Sequence, residues 1–173
     1  MVLVSLMTAI ICMLAPISLT LPTSPIPISL GNMVICFTVT ILGMKKGSLS
    51  VLIYLLLGLA GVPVFSNFTG GIGKLLGPTG GYLVGYLFLA MLLGFFMEHF
   101  KNRHTTNFLG ALFGMLILYL FGTIWLALQL DLNFTAARLV GVAPYIPFDI
   151  IKILLSISIG THLRKRLLQA GLL

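Results

Sequence analysis

A chain of 173 residues can make one water-soluble domain or about six membrane helices, and composition decides between them. Apolar residues make up 59% of it and Asp, Glu, Lys and Arg only 8%, against about 25% in soluble domains. Ten basic and three acidic side chains cannot cover a water-soluble globule, which excludes a cytosolic enzyme, a disordered chain and a disulfide-stapled secreted domain. The net charge of +7 fits the basic cytoplasmic loops of a polytopic membrane protein. It does not suggest nucleic acid, because no basic stretch is interleaved with aromatics. Cys12 and Cys36 lie in apolar runs and read as small buried hydrophobes.

The apolar pattern predicts six helices. The first covers residues 2–19 and lacks the positive flank of a cleaved leader, so it reads as a retained helix. It ends at Pro22, Pro25 and Pro27, which cannot continue a helix. The second, residues 29–44, stops at Lys45-Lys46-Gly47. The third covers 48–60 and is closed by Gly61 and Pro63. Residues 62–78 are Gly-rich without periodicity and read as a loop. The fourth helix covers 79–97 and the fifth 105–130. A polar stretch, 131–138, follows, with a short surface helix starting at Asn133. The sixth starts near Pro147, a favourable first-turn position, and runs to 168. Second and third segments this short imply that some helices do not span fully, or that loops fold back into the bundle.

Charge orients the bundle. With both termini cytoplasmic, inside loops hold Lys45, Lys46, Lys101, Arg103, Arg164, Lys165 and Arg166, and outside loops only Lys74 and Arg138. The Pro-rich stretch, the 62–78 loop and the start of the sixth helix then gather on the outer side. Irregular backbone at membrane depth is tolerated where it is buried or lines a cavity, so this face is the expected place for a pocket.

Asp149 and Lys152 are the most informative residues. They stand at i and i+3 on the sixth helix, one turn below its outer end, within Pro147-Phe148-Asp149-Ile150-Ile151-Lys152-Ile153-Leu154. Charges inside an apolar segment face a cavity or each other. They read as the polar anchor of a small ligand, or as a self-satisfied pair that holds the helix.

The Gly-rich loop fails as a Walker A motif, with Phe68 in place of its first glycine and Leu75 in place of its Ser or Thr. It also fails as a dinucleotide fingerprint, since Leu76 follows Gly71-x-Gly73 where glycine is needed. Its glycines permit close backbone approach to a ligand. Gly81 and Gly85 can instead serve helix packing. Asn67 is a candidate hydrogen-bonding partner for a ligand amide, or a turn cap. No catalytic set emerges. Glu98 is the only glutamate, and His99 and His104 share no helical face. No metal-ligand cluster emerges either. On the first helix, Ser5-x-x-x-Ala9 and Thr8-x-x-x-Cys12 form small-residue strips suited to docking a second helix or to packing in the bundle.

At these residues the chain resembles the BioY family, the biotin-specific substrate-binding (S) components of energy-coupling-factor (ECF) transporters. Four further segments carry the resemblance beside the sixth-helix motif. They are Pro25-Ile26-Pro27-Ile28-Ser29-Leu30, residues 54–65, Gly70-Gly71 and Gly77-Pro78-Thr79-Gly80-Gly81-Tyr82. The resemblance implies an all-α bundle of six transmembrane helices in one domain, 1–173, in the plasma membrane of a prokaryote. It implies a high-affinity biotin pocket on the outer face, no cofactor and no catalysis. Transport would depend on a T component and two cytosolic ATPases. Another small vitamin is the alternative ligand. Other S components dock through an Ala-x-x-x-Ala strip, which here reads Ser5 to Ala9 and Thr8 to Cys12. Gly31-Asn32 stands where the family often has Gln or Thr.

The resemblance gives the residues roles. Asp149 would accept from a ureido N–H, Lys152 would donate to the ureido oxygen, and Asn67 would do either. Tyr82, Phe65 or Tyr145 would stack on the apolar remainder. Lys74 or glycine N–H groups such as that of Gly71 would receive the valerate carboxylate; a flipped pose, with Lys152 on that carboxylate, is the alternative.

Overall fold

The computed structural model describes residues 1–20, 26–100 and 104–172. Pro22, Pro25, Lys101 and Arg103 lie outside the described residues. Among the described residues there are six helices of twelve residues or more. They are α1 (Val2–Leu14), α2 (Gly31–Leu42), α3 (Met44–Leu59), α5 (Gly80–His99), α6 (His104–Gln129) and α8 (Ile146–Gln169). Two shorter ones are α4 (Ile72–Leu76) and α7 (Phe134–Gly141). Three helices, α5, α6 and α8, are long and apolar enough to cross a membrane. Leu116, Leu128, Ile151 and Ile159 on α6 and α8 are each more than half exposed, as expected of surfaces meant for lipid.

Several boundaries differ from the sequence expectation, and α4 lies within residues 62–78, expected to be loop. The first helix stops at Leu14, not at residue 19, because the chain turns at Ala15-Pro16 into strand β1 (Ser18–Thr20). This strand pairs antiparallel with β2 (Pro27–Ser29), with Ser18 opposite Ser29 and Leu19 opposite Ile28. Ser29 therefore belongs to a folded-back ribbon and not to a helix.

The third helix starts at Met44, four residues before the expected 48. Gly43, at φ 81°, makes the sharp turn from α2. Glu98 Oε1 accepts from the Met44 N–H at 3.1 Å, satisfying one of the amides a helix start leaves open. A carboxylate there also offsets Lys45 and Lys46, which sit unfavourably in a first turn. Glu98→Ala is expected to cost roughly 0.5–1 kcal/mol, read as a lower thermal midpoint in detergent. An unchanged midpoint would show that this cap is dispensable.

Glycine brings the helices together. A Cβ on Gly81 would fall 2.4 Å from Trp125 Cβ, and one on Gly114 would fall 2.7 Å from a Leu89 methyl. Gly85 lies against Leu118 in the same way. Small residues on both sides let α5 and α6 pack closely as an antiparallel pair. α2 and α8 run in the same direction. Ser156 Oγ donates to the Met33 carbonyl at 2.8 Å, and Arg164 Nη1 donates to the Ile41 carbonyl at 2.6 Å. The core between these helices includes Ile11, Ile35, Val39, Tyr54, Leu89, Leu93 and Ile153.

Candidate functional site

The site forms where α8 begins. Asp149 is buried, and Lys152 is partly buried beside it. Lys152 Nζ donates to Asp149 Oδ1 at 3.1 Å and to the Ser29 carbonyl at 2.8 Å. Tyr119, on α6, donates its hydroxyl to Asp149 Oδ2 at 2.5 Å. The ribbon, α6 and α8 thus meet at one ion pair. An ammonium has three donors and a carboxylate about four acceptor positions. Two of each are used, so the pair retains capacity for a ligand.

That capacity faces a cavity of about 60 Å³, which both charged residues line with β2, Asn32, Tyr82, Tyr86 and Tyr145. Tyr82 Oη donates to the Gly141 carbonyl at 3.0 Å and ties α7 to α5. Tyr145 Oη donates to the Ile26 carbonyl and holds the ribbon to the start of α8. Tyr86 Oη and Ser29 Oγ both stand close over Gly31. Tyr86 reaches that point because Gly31 has no side chain: a Cβ there would stand 2.8 Å from the Tyr86 oxygen.

Of the residues expected from sequence, Asp149, Lys152, Tyr82 and Tyr145 come together here. Phe65, Asn67, Gly71 and Lys74 do not line this cavity. Phe65 is fully buried against Gly58 and meets Tyr54 edge-on at 5.6 Å, so its ring serves the core. Asn67 is exposed and takes φ 62°, a left-handed conformation that asparagine tolerates. Its N–H donates to Ser18 Oγ at 2.9 Å, and Ser18 Oγ donates to Asn67 Oδ1 at 2.7 Å. Asn67 therefore buttresses β1, the strand paired with the cavity's own β2. Gly71 caps α4 at φ 88°, and Lys74 lies half-buried on α4, where burial lowers its ammonium below the ordinary lysine value.

The Gly77–Tyr82 motif resolves largely into packing. The Gly77 carbonyl accepts from Trp125 Nε1 at 2.9 Å, and a Cβ on Gly80 would collide with the Leu75 carbonyl. The strips on α1 divide. Ser5 and Ala9 are exposed, whereas Thr8 is buried and donates to the Ser50 carbonyl at 3.3 Å, and Cys12 is partly covered.

Sequence reasoning missed Tyr119, Tyr86 and the Ser29 carbonyl, and named Asn32 only as a departure from the family pattern. One available signal was the spacing of Tyr82 and Tyr86, four apart on one helical face. Another was the rule that a tyrosine hydroxyl within an apolar helix needs a partner.

A membrane helix bundle that holds a buried ion pair against a small tyrosine-lined chamber has the form of a small-solute carrier or receptor. The chain matches the family model described as the BioY family over residues 1–169. It is 36% identical over 162 residues to the probable biotin transporter BioY of Pyrococcus horikoshii, covering 94% of each chain. It is also 36% identical over 158 residues to the biotin transporter BioY of Thermotoga maritima, covering 91% of each. A crystal structure of the S-component for biotin from an ECF-type ABC transporter superposes with a TM-score of 0.87 at 34% identity, covering 94% of this chain and 88% of that one. The chain belongs to the BioY family, a family of membrane transport proteins.

Proposed function

We propose that this chain binds biotin and, as the S component of an ECF transporter, carries it into the cell. The observation that carries the reading is the Asp149–Lys152–Tyr119 cluster at the wall of the cavity, in a chain of this family. A cyclic urea has one carbonyl oxygen and two N–H groups. Lys152 has a donor left for the oxygen, and Asp149 has acceptor positions left for an N–H. Asn32 and Ser29 stand nearby for the second N–H. Charge-assisted bonds of this kind are about twice as strong as neutral ones. Tyr82, Tyr86 and Tyr145 supply aromatic surface for the apolar remainder. A cavity of about 60 Å³ is well below the roughly 300 Å³ at which small-molecule pockets begin, so its walls must part to admit the vitamin. Asn67, Gly71 and Lys74 lie on the segment that Asn67 ties to the ribbon and would act as that segment closes over the ligand, while Phe65 stays in the core beneath it.

In this reading the six longer helices make six passes in the plasma membrane of a prokaryote, with both termini cytoplasmic, and α1 and α2, at 13 and 12 residues, reach only part of the way through its hydrocarbon core. The parallel run of α2 with α8 and the antiparallel run of α5 with α6 support that order of crossings. Energy comes from outside the chain, from a T component and two ATPases. The exposed Ser5 and Ala9 face of α1 offers smallness for docking, with Thr8 and Cys12 behind it. The chain catalyses nothing, and bound vitamin should be recovered unmodified after denaturation.

A competition panel of labelled biotin against other small vitamins, on purified protein, tests the assignment. Displacement by biotin alone supports it; stronger displacement by a different vitamin overturns it. Tyr119→Phe should keep the fold and weaken biotin binding about 10- to 100-fold, the worth of a hydrogen bond to a charged acceptor. Unaltered affinity in that variant would remove Tyr119 from the site.

A further inference from the structure

A second hollow lies outside the bundle, between α6, α7 and α8. Its volume is about 400 Å³, and Leu116, Leu120, Phe134, Arg138 and Ile150 are among its walls. Its lining on α6 runs from Leu112 to Thr123, about 16 Å along the axis at about 1.5 Å per residue. That is the depth of one leaflet, half of a hydrocarbon core about 30 Å thick. The rim is α7, an eight-residue helix with exposed Phe134 and Leu139 and buried Ala137 and Gly141. Arg138 is exposed on it and makes no ion pair among the described residues. The hollow thus combines an apolar trough as deep as a leaflet with one unneutralised cation at its mouth.

We infer that this groove is a specific site for one acyl chain of an anionic phospholipid, with the lipid phosphate against Arg138. The occupant follows from length and charge together. About 400 Å³ spread over about 16 Å leaves a cross-section of roughly 25 Å², too narrow for a partner helix about 10 Å across. A methylene chain is thin enough and matches the leaflet depth. Filling the groove restores dispersion contacts that an empty trough forfeits. Tyr119 and Asp149 line this groove as well as the inner cavity, so a bound chain would back the wall that keeps the ion pair dry.

The test is native mass spectrometry of the delipidated protein with phosphatidylglycerol or phosphatidylcholine of identical chains. One lipid should stay bound, with phosphatidylglycerol favoured about fivefold, the effect of one basic group at an anionic headgroup. Arg138→Gln should erase that preference while leaving chain binding. Leu116→Trp, on the exposed wall, should fill the trough and displace both lipids. Equal retention of both lipids, untouched by either variant, would reduce the groove to ordinary annular contact and overturn the proposal. So would a second copy of the chain protected at this face, or biotin expelling the lipid by competition. The lipid readouts do not depend on whether the chain binds biotin; only the competition arm does.

Discussion

Asp149→Ala is expected to abolish high-affinity biotin binding by the purified protein. The substitution removes one hydrogen-bond acceptor from the ligand and leaves Lys152 with the Ser29 carbonyl alone, in a partly buried position. It also leaves the Tyr119 hydroxyl without the carboxylate it bonds at 2.5 Å. Breaking one side of such a pair costs about 2–5 kcal/mol, roughly 30-fold to several-thousand-fold in affinity. Equilibrium binding of labelled biotin measures it, and a thermal melt of the variant shows whether the bundle is intact. A folded variant with unchanged affinity would remove Asp149 from the site.

Gly81→Leu has the second-largest expected effect, and it acts on the fold. The α5–α6 interface has no room at Gly81, where an added Cβ would also fall 2.6 Å from the Phe121 carbonyl. Backbone cannot move aside as a side-chain tip can. Overpacking typically costs about 1–3 kcal/mol, and a clash with backbone lies at the upper end. The variant should melt well below the parent in detergent, and biotin binding should fall with it, because Tyr82 is the next residue and lines the cavity. Gly73→Ala is the control. Nothing lies within 4 Å of its Cβ position, and its melting point should not move. Equal stability of the Gly81 variant would show that α5 and α6 can separate without loss.

The helices were legible because an apolar run long enough to cross a membrane has few other uses. Their ends were less so. The ribbon of Ser18–Thr20 with Pro27–Ser29 has three residues in each strand, too few for a period of two to stand out beside apolar helices. Reading residues 29–44 as a helix placed Ser29 in its first turn, and so hid the carbonyl that holds Lys152. The start of α3 depends on Glu98, which is 54 residues away in the chain.

The site divides along the same line. Asp149 and Lys152 were legible because their pairing is local to one helix. Tyr119 was not, because it meets Asp149 across 30 residues and looks in sequence like one more ring in an apolar helix. Phe65 was one of three rings that the family resemblance offered for stacking on a ligand. Its ring instead fills the space left by Gly58, a contact that depends on how α3 and the following loop fold together.

A structure of the protein with biotin bound tests the central claim most directly. The distance to measure runs from Lys152 Nζ to the ureido oxygen. The account predicts a hydrogen bond of about 2.7–3.2 Å there, with a ureido N–H directed at Asp149. Biotin seated elsewhere, or turned so that its valerate carboxylate meets Lys152, would contradict it.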